Sequence, residues 1–195
     1  MMHQQLSRRS AIIGALAFVL TACGGRSGSG QTTTGATPNS AANPPVSVSD
    51  FKLVAYQGDD VLGGHETKFS TIFNQGKPVV LNFFAGQCPP CQGEMPAFQR
   101  VANENQGKVI FVGVDAGPFT GLGSHDDARK LLSRLSIQYP AAYAVDASPL
   151  RLYNVLGLPG TFFFTARGTI TDRSPGPLTE TQLRGIVQRL IASPA

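Results

Sequence analysis

Apolar and polar positions divide the chain into three regimes. Ala11 to Ala22 is a short, mostly apolar run of 12 residues. Gly24 to Ser49 has neither helical nor strand periodicity, and its apolar side chains are mostly alanine. From Asp50 onward, apolar runs of strand length alternate with segments of helical period. Val79-Val80-Leu81-Asn82-Phe83-Phe84 and Val109-Ile110-Phe111-Val112-Gly113-Val114 are nearly continuous, as in strands covered on both faces. Thr161-Phe162-Phe163-Phe164 is a third run, and Gly168-Thr169-Ile170-Thr171 can return as its hairpin partner. Helices are expected from Pro89 to about Asn103, from Asp126 to Ser136 with Ala128, Leu131, Leu132 and Leu135 on one face, and from Thr179 to Ala192. The last opens on Thr179 with Gln182 three residues on, a capping-box pattern. Strand–helix alternation implies an α/β domain, a central sheet with helices on both faces. The closing hairpin makes that sheet mixed.

The first regime reads as an address. Arg8 and Arg9 precede the apolar run, and Leu20-Thr21-Ala22 leads directly into Cys23. This string resembles the bacterial lipobox, which implies a signal peptide over residues 1–22 and lipidation of Cys23. Ser7-Arg8-Arg9-Ser10 is compatible with a twin-arginine signal but has Ala11 where that pattern carries Phe, so both export routes stay open. Residues 23–49 then form the anchor cysteine and a disordered linker, whose mean reach as a flexible coil is about 28 Å. The folded domain is expected over residues 50–195, with the protein held at the bacterial envelope and the domain on the extracytoplasmic side.

Composition narrows the classes further. With 42% apolar and 14% charged residues, the chain is neither a disordered acidic tail nor a coiled coil. The longest apolar run is too short to span a bilayer, which excludes a polytopic membrane protein. A net charge of +4 invites a nucleic-acid reading. From Asp50 onward, however, 13 Lys and Arg face 12 Asp and Glu without a basic cluster, so nucleic acid is not expected as a partner. Three cysteines are too few for a disulfide scaffold or a four-cysteine zinc site. No metal or other cofactor is expected.

The chemistry lies in Cys88-Pro89-Pro90-Cys91, directly after the run Val79–Phe84. A strand–loop–helix setting places Cys88 at a helix N-terminus, where free amides and the backbone dipole favour a thiolate. Cys91 lies on the same helical face and can close a disulfide. Cys88 would attack a substrate disulfide and Cys91 would resolve the mixed disulfide. Pro89 suits the first helical turn, which has no partner for an N–H. A purely structural bridge across two residues would restrain little chain entropy.

At these residues the sequence resembles the thioredoxin superfamily, specifically its membrane-anchored TlpA/ResA-like branch. Val79-Val80-Leu81-Asn82-Phe83-Phe84-Ala85 is similar to that branch's V-V-L-N-F-W-A, Gly157-Leu158-Pro159-Gly160-Thr161-Phe162 to its G-x-P-x-T-F, and Gly176-Pro177-Leu178-Thr179 to its G-x-L-T entry into the last helix. The resemblance implies a thioredoxin-like fold and a monomeric thiol–disulfide oxidoreductase. It would act on protein thiols and disulfides and exchange electrons with a membrane-embedded donor or acceptor. It implies that Pro159 is a cis-proline lying against the disulfide, with Leu158 offering backbone groups to an extended substrate. It also implies that Glu94 exchanges a proton with Cys91, since Asn82 stands where thioredoxin has a buried aspartate. Gln87 departs from the aromatic that normally precedes the first cysteine, whereas Phe84 fills the other common Trp position.

Neither proline between the cysteines supplies an amide to Cys88, and no histidine adds positive charge there. Both facts favour a modestly shifted thiol and a reducing pair. The expected function is therefore a reductase of exported cysteines, as in preparing apocytochrome c for haem attachment. A disulfide-forming oxidase is the first alternative. A copper-binding assembly chaperone is the second, weakened by the two-residue spacing of the cysteines. His65 and His125 read as surface residues. A peroxidase would need a Thr shortly before the attacking cysteine, which Ala85-Gly86-Gln87 lacks. The segment Ala116–Ser124 is rich in glycine but has no Gly-Lys-Ser/Thr ending, and reads as a loop entering the second helix.

Overall fold

The computed structural model describes residues 48–192; the expected signal at 1–22, Cys23 and the tether as far as residue 47 lie outside the described residues. The chain forms β1 (Lys52–Gln57), α1 (Asp59–Leu62), β2 (Glu66–Lys68), a 3-10 turn (Phe69–Gln75), β3 (Val79–Phe84), α2 (Pro89–Glu104), β4 (Ile110–Asp115), α3 (Gly117–Thr120), α4 (His125–Arg134), β5 (Ala141–Ala144), α5 (Ser148–Leu152), β6 (Gly160–Phe164), β7 (Ile170–Pro175) and α6 (Glu180–Ala192). The seven strands make one mixed sheet in the order β2-β1-β5-β4-β3-β6-β7. Strands β3, β4 and β5 are parallel neighbours, while β6 runs antiparallel to β3 and β7 antiparallel to β6. This is a thioredoxin-like arrangement.

Every residue of β3 and β4 is buried, as continuous apolar runs require when both faces of a sheet are covered. Alternation sends Val80, Asn82 and Phe84 to one face and Val79, Leu81 and Phe83 to the other. The crossovers β3–α2–β4 and β4–α4–β5 step in the same direction, so right-handedness puts α2 and α4 on the same face. There Met95, Phe98, Leu131 and Leu132 pack with Leu183 and Val187 of α6 around the two cysteines. The opposite face is closed by α1, the 3-10 turn and α5, over a core of Phe51, Phe69, Phe83, Tyr153, Phe162 and Phe164. With no tryptophan in the chain, stacked and edge-on Phe and Tyr rings fill the space that larger rings would take. No helix among the described residues is long and apolar enough to cross a membrane.

Three strands were not legible in the pattern. β1, β2 and β5 are short, and β5 is Ala-Ala-Tyr-Ala, too small in side-chain volume to stand out as an apolar run. The hairpin partner runs over Ile170–Pro175 instead of Gly168–Thr171, because Gly168 is taken up by the turn at φ 79°. α4 begins at His125 on a capping box formed by Ser124 and Asp127, and α6 is capped by reciprocal Thr179–Gln182 hydrogen bonds.

Strand register assembles the functional edge. Phe84 pairs with Asp115 and Phe83 with Gly160. The ends of β3 and β4 and the start of β6 therefore meet at one edge of the sheet. The segment entering Cys88, the loop before α4 and Leu158–Pro159 leave from that edge.

Candidate functional site

Cys88 caps α2 from an extended conformation (φ −95°, ψ 103°), followed by Pro89 and Pro90 in the first helical turn. Prolines fit there because their missing N–H groups have no helical acceptor. The first amide inside the helix, that of Cys91, donates to Cys88 Sγ at 3.3 Å. Cys88 and Cys91 form a disulfide with Cα atoms 5.3 Å apart. Both are almost wholly buried, at 1% and 0% exposure. The helix dipole and the single amide donor favour a thiolate at Cys88, and its burial opposes one.

The approach to Cys88 rests on α4. The Gln87 amide donates to Leu122 O at 2.8 Å, and its side-chain Nε2 donates to Asp127 Oδ2 at 3.2 Å. Gln92 Nε2, one residue beyond Cys91, donates back to Gly86 O at 2.9 Å. A Cβ on Gly86 would lie 2.5 Å from the Asp127 carbonyl carbon, so only glycine lets the segment press onto the start of α4. In place of an aromatic before the first cysteine, the protein therefore has a polar side chain tied to the adjacent helix.

Glu94 follows Cys91 by three residues on the same helical face and is 4% exposed. Its Oε1 accepts from Asn82 Nδ2 at 2.8 Å, and its Oε2 from the Leu178 amide at 2.9 Å. Asn82 Nδ2 also donates to Thr161 Oγ1 at 3.0 Å. Burial pushes the Glu94 carboxyl up to about 7, against the smaller opposing pull of the Leu178 amide and the Asn82 side chain. A carboxyl raised to that value changes its protonation near neutral pH rather than in the ordinary acid range. The Leu158–Pro159 peptide bond is cis, Pro159 is buried, and Leu158 packs half-buried against both cores.

Sequence reasoning missed one buried cluster. Asp115, fully buried at the end of β4, accepts from Tyr56 Oη at 2.8 Å and from the Gly117 amide at 2.9 Å. His125 Nδ1 lies 3.0 Å from the same carboxylate and 2.9 Å from Tyr56 Oη. His125 is thus no simple surface residue: it ties the start of α4 to β1 and β4, while His65 is exposed beside Asp59. The only local hint was an acidic residue ending an apolar strand. Its partners lie 59 and 10 positions away.

Against this geometry, the comparisons with known proteins agree. The sequence is 31% identical over 136 residues to the thioredoxin-like protein YneN of Bacillus subtilis, covering 69% of this chain and 72% of YneN. It is 29% identical over 114 residues to the thiol-disulfide oxidoreductase ResA of Oceanobacillus iheyensis, covering 57% of this chain and 56% of ResA. The fold superposes with a TM-score of 0.57 on a secreted Mycobacterium tuberculosis disulfide oxidoreductase homologous to E. coli DsbE, at 26% identity, covering 72% of this chain and 96% of that one. The AhpC/TSA family matches residues 46–173, most of the described domain. A strand-led cysteine pair on a thioredoxin-like sheet, matched over that extent and flanked by oxidoreductase relatives, makes this chain a member of the AhpC/TSA family within the thioredoxin superfamily.

Proposed function

We propose that the protein is an extracytoplasmic thiol–disulfide oxidoreductase that reduces cysteines of exported proteins. One observation carries the direction. Cys88 Sγ receives one backbone N–H, from Cys91, because the two positions that would supply the others are Pro89 and Pro90. Fewer donors stabilise the thiolate less. A less stabilised thiolate makes the reduced form relatively less favoured, and the dithiol a better electron donor.

In the proposed cycle the reduced enzyme attacks a client disulfide with Cys88, releasing one client thiol and forming a mixed disulfide. Cys91 then attacks Cys88 Sγ, frees the second client thiol and closes the Cys88–Cys91 disulfide. Two electrons pass to the client, and a membrane-embedded donor restores the dithiol. Glu94 takes up the Cys91 proton as the thiol becomes a nucleophile. Leu158 and Pro159 hold the client as an extended strand beside the disulfide. Residues 1–22 direct export, lipidated Cys23 anchors the chain, and the linker gives the monomeric domain its reach. Apocytochromes awaiting haem are clients of the kind this cycle serves.

The test is the reduction potential of the Cys88–Cys91 pair in the purified protein, measured in defined thiol buffers with alkylation and mass readout. A value near about −270 mV supports the reductase; a value near about −120 mV overturns it in favour of a disulfide-forming oxidase.

A further inference from the structure

Among the described residues, two buried side-chain polar atoms have no hydrogen-bond partner: Asn82 Oδ1 and Tyr139 Oη. The two belong to one region. Asn82 commits its Nδ2 to Glu94 and to Thr161 on β6, the neighbour of β3 on one side. A planar amide then turns Oδ1 the other way, toward β4. The residue of β4 in register with Asn82 is Gly113, which fills none of that space. The Tyr139 ring lies there instead: a Cβ on Gly113 would meet Tyr139 Cε2 at 3.3 Å and Phe84 Cε1 at 3.2 Å. Tyr139 is 5% exposed and packs in the same core as the two cysteines.

Buried donors and acceptors rarely stay unpaired. A hydroxyl that can donate and a carbonyl oxygen that can only accept, both bordering the Gly113 gap and not bonded to each other directly, are satisfied together by one shared water. We infer that Tyr139 is a positioning residue of the redox site, its hydroxyl donating into the Asn82 Oδ1 side of the Asn82–Glu94 pair and so setting the proton affinity of the Glu94 carboxyl. A donor on the amide oxygen polarises the amide and makes its Nδ2–H a stronger donor to Glu94, which stabilises the carboxylate. The two groups also sense each other: burial first, and then the Glu94 charge, hold the Tyr139 hydroxyl protonated. The groups acting on Glu94 from its surroundings are the Leu178 amide before α6, Asn82 on β3 and Tyr139 before β5. On its own helix, Cys91 is held in the disulfide.

The consequence for catalysis rests on the proposed proton exchange between Glu94 and Cys91, but the coupling itself is tested without it. In the oxidised protein labelled with 13C at glutamate side-chain carboxyls, the Glu94 signal is identified by its loss in Glu94→Gln and titrated. In Tyr139→Phe its midpoint should rise by about half a unit or more. In the wild-type protein the Tyr139 ring carbon bearing the hydroxyl should shift with the same midpoint, and that inflection should vanish in Glu94→Gln. An unchanged Glu94 midpoint in Tyr139→Phe, or a Tyr139 signal indifferent to Glu94, overturns the inference. A separate titration of the reduced thiols tells the two readings apart. If Glu94 responds to Tyr139→Phe while the thiol profile does not, the Tyr139 link stands and the Glu94–Cys91 exchange falls.

Discussion

Asn82 Nδ2 and Glu94 Oε1 lie 2.8 Å apart in the layer between β3 and α2, so the one acid on the cysteine helix that points into the core meets a neutral amide there. Among the described residues no cation is paired with it, and burial raises its proton affinity from an ordinary value of 4.5 to about 7. A carboxyl whose affinity is higher in the folded than in the unfolded chain stabilises the fold fully below the unfolded value. That stability is lost as pH rises through the folded value. The oxidised protein should lose about 3 kcal/mol of stability from this group between roughly pH 4.5 and 7. Glu94→Gln should flatten the profile across that window. Denaturant unfolding followed by circular dichroism at several pH values measures it; identical slopes in both proteins would remove Glu94 as a buried titrating acid.

Cys88→Ala should abolish disulfide exchange, because Cys88 is the sulfur at the α2 N-terminus, where the helix dipole and the Cys91 amide favour the attacking thiolate. Cys91→Ala should instead accumulate a mixed disulfide between Cys88 and the client, seen as a mass adduct cleaved by reductant. Retained turnover in Cys88→Ala would show that the attacking sulfur has been assigned to the wrong residue.

Gly86→Ala should destabilise the fold by about 2 kcal/mol. The added methyl would collide with main-chain atoms of Asp127 and Ala128 at 2.5 and 2.6 Å, so α4 or the segment before Cys88 must move. Because that segment carries Gln87 on Asp127, exchange with a protein client should slow as well. A urea midpoint equal to wild type would mean that the contact yields at no cost.

Asp115→Asn should cost about 2 kcal/mol. The amide would still accept from the Gly117 N–H, but it would turn a donor toward Tyr56 Oη and His125 Nδ1, where the carboxylate oxygen now accepts. Since the cluster holds the start of α4 and not the disulfide itself, the potential of the Cys88–Cys91 pair should stay unchanged while the unfolding midpoint falls. A shifted potential would place Asp115 in the redox chemistry.

The parts of the fold legible beforehand are those in which local pattern and burial coincide. Val79–Phe84 and Ile110–Asp115 lie between two helical layers, so their apolar character runs unbroken and marks them as central strands. α4 announces itself through its apolar face and α6 through its cap, both relations across three or four residues. β5 is not legible because its alanines, buried by the sheet, carry too little apolar volume for the segment to stand out. His125 was misread for a similar reason. Only the register of β4 and the path of β1 bring Asp115 and Tyr56 to it.

Sequence alone was enough to place Cys88-Pro89-Pro90-Cys91 after a buried strand and at the head of a helix, and to set Glu94 three residues beyond Cys91. Those relations follow from chain connectivity and helical period, which act over a few residues. The surroundings of that acid belong to the tertiary structure: an amide 12 positions away, a backbone N–H 84 positions away, and a tyrosine ring in the space left by Gly113. Proton affinity depends on desolvation and on the donors that replace water. Both are supplied by strand register and helix packing, so the chain declares where its sulfurs are and the fold decides how protons reach them.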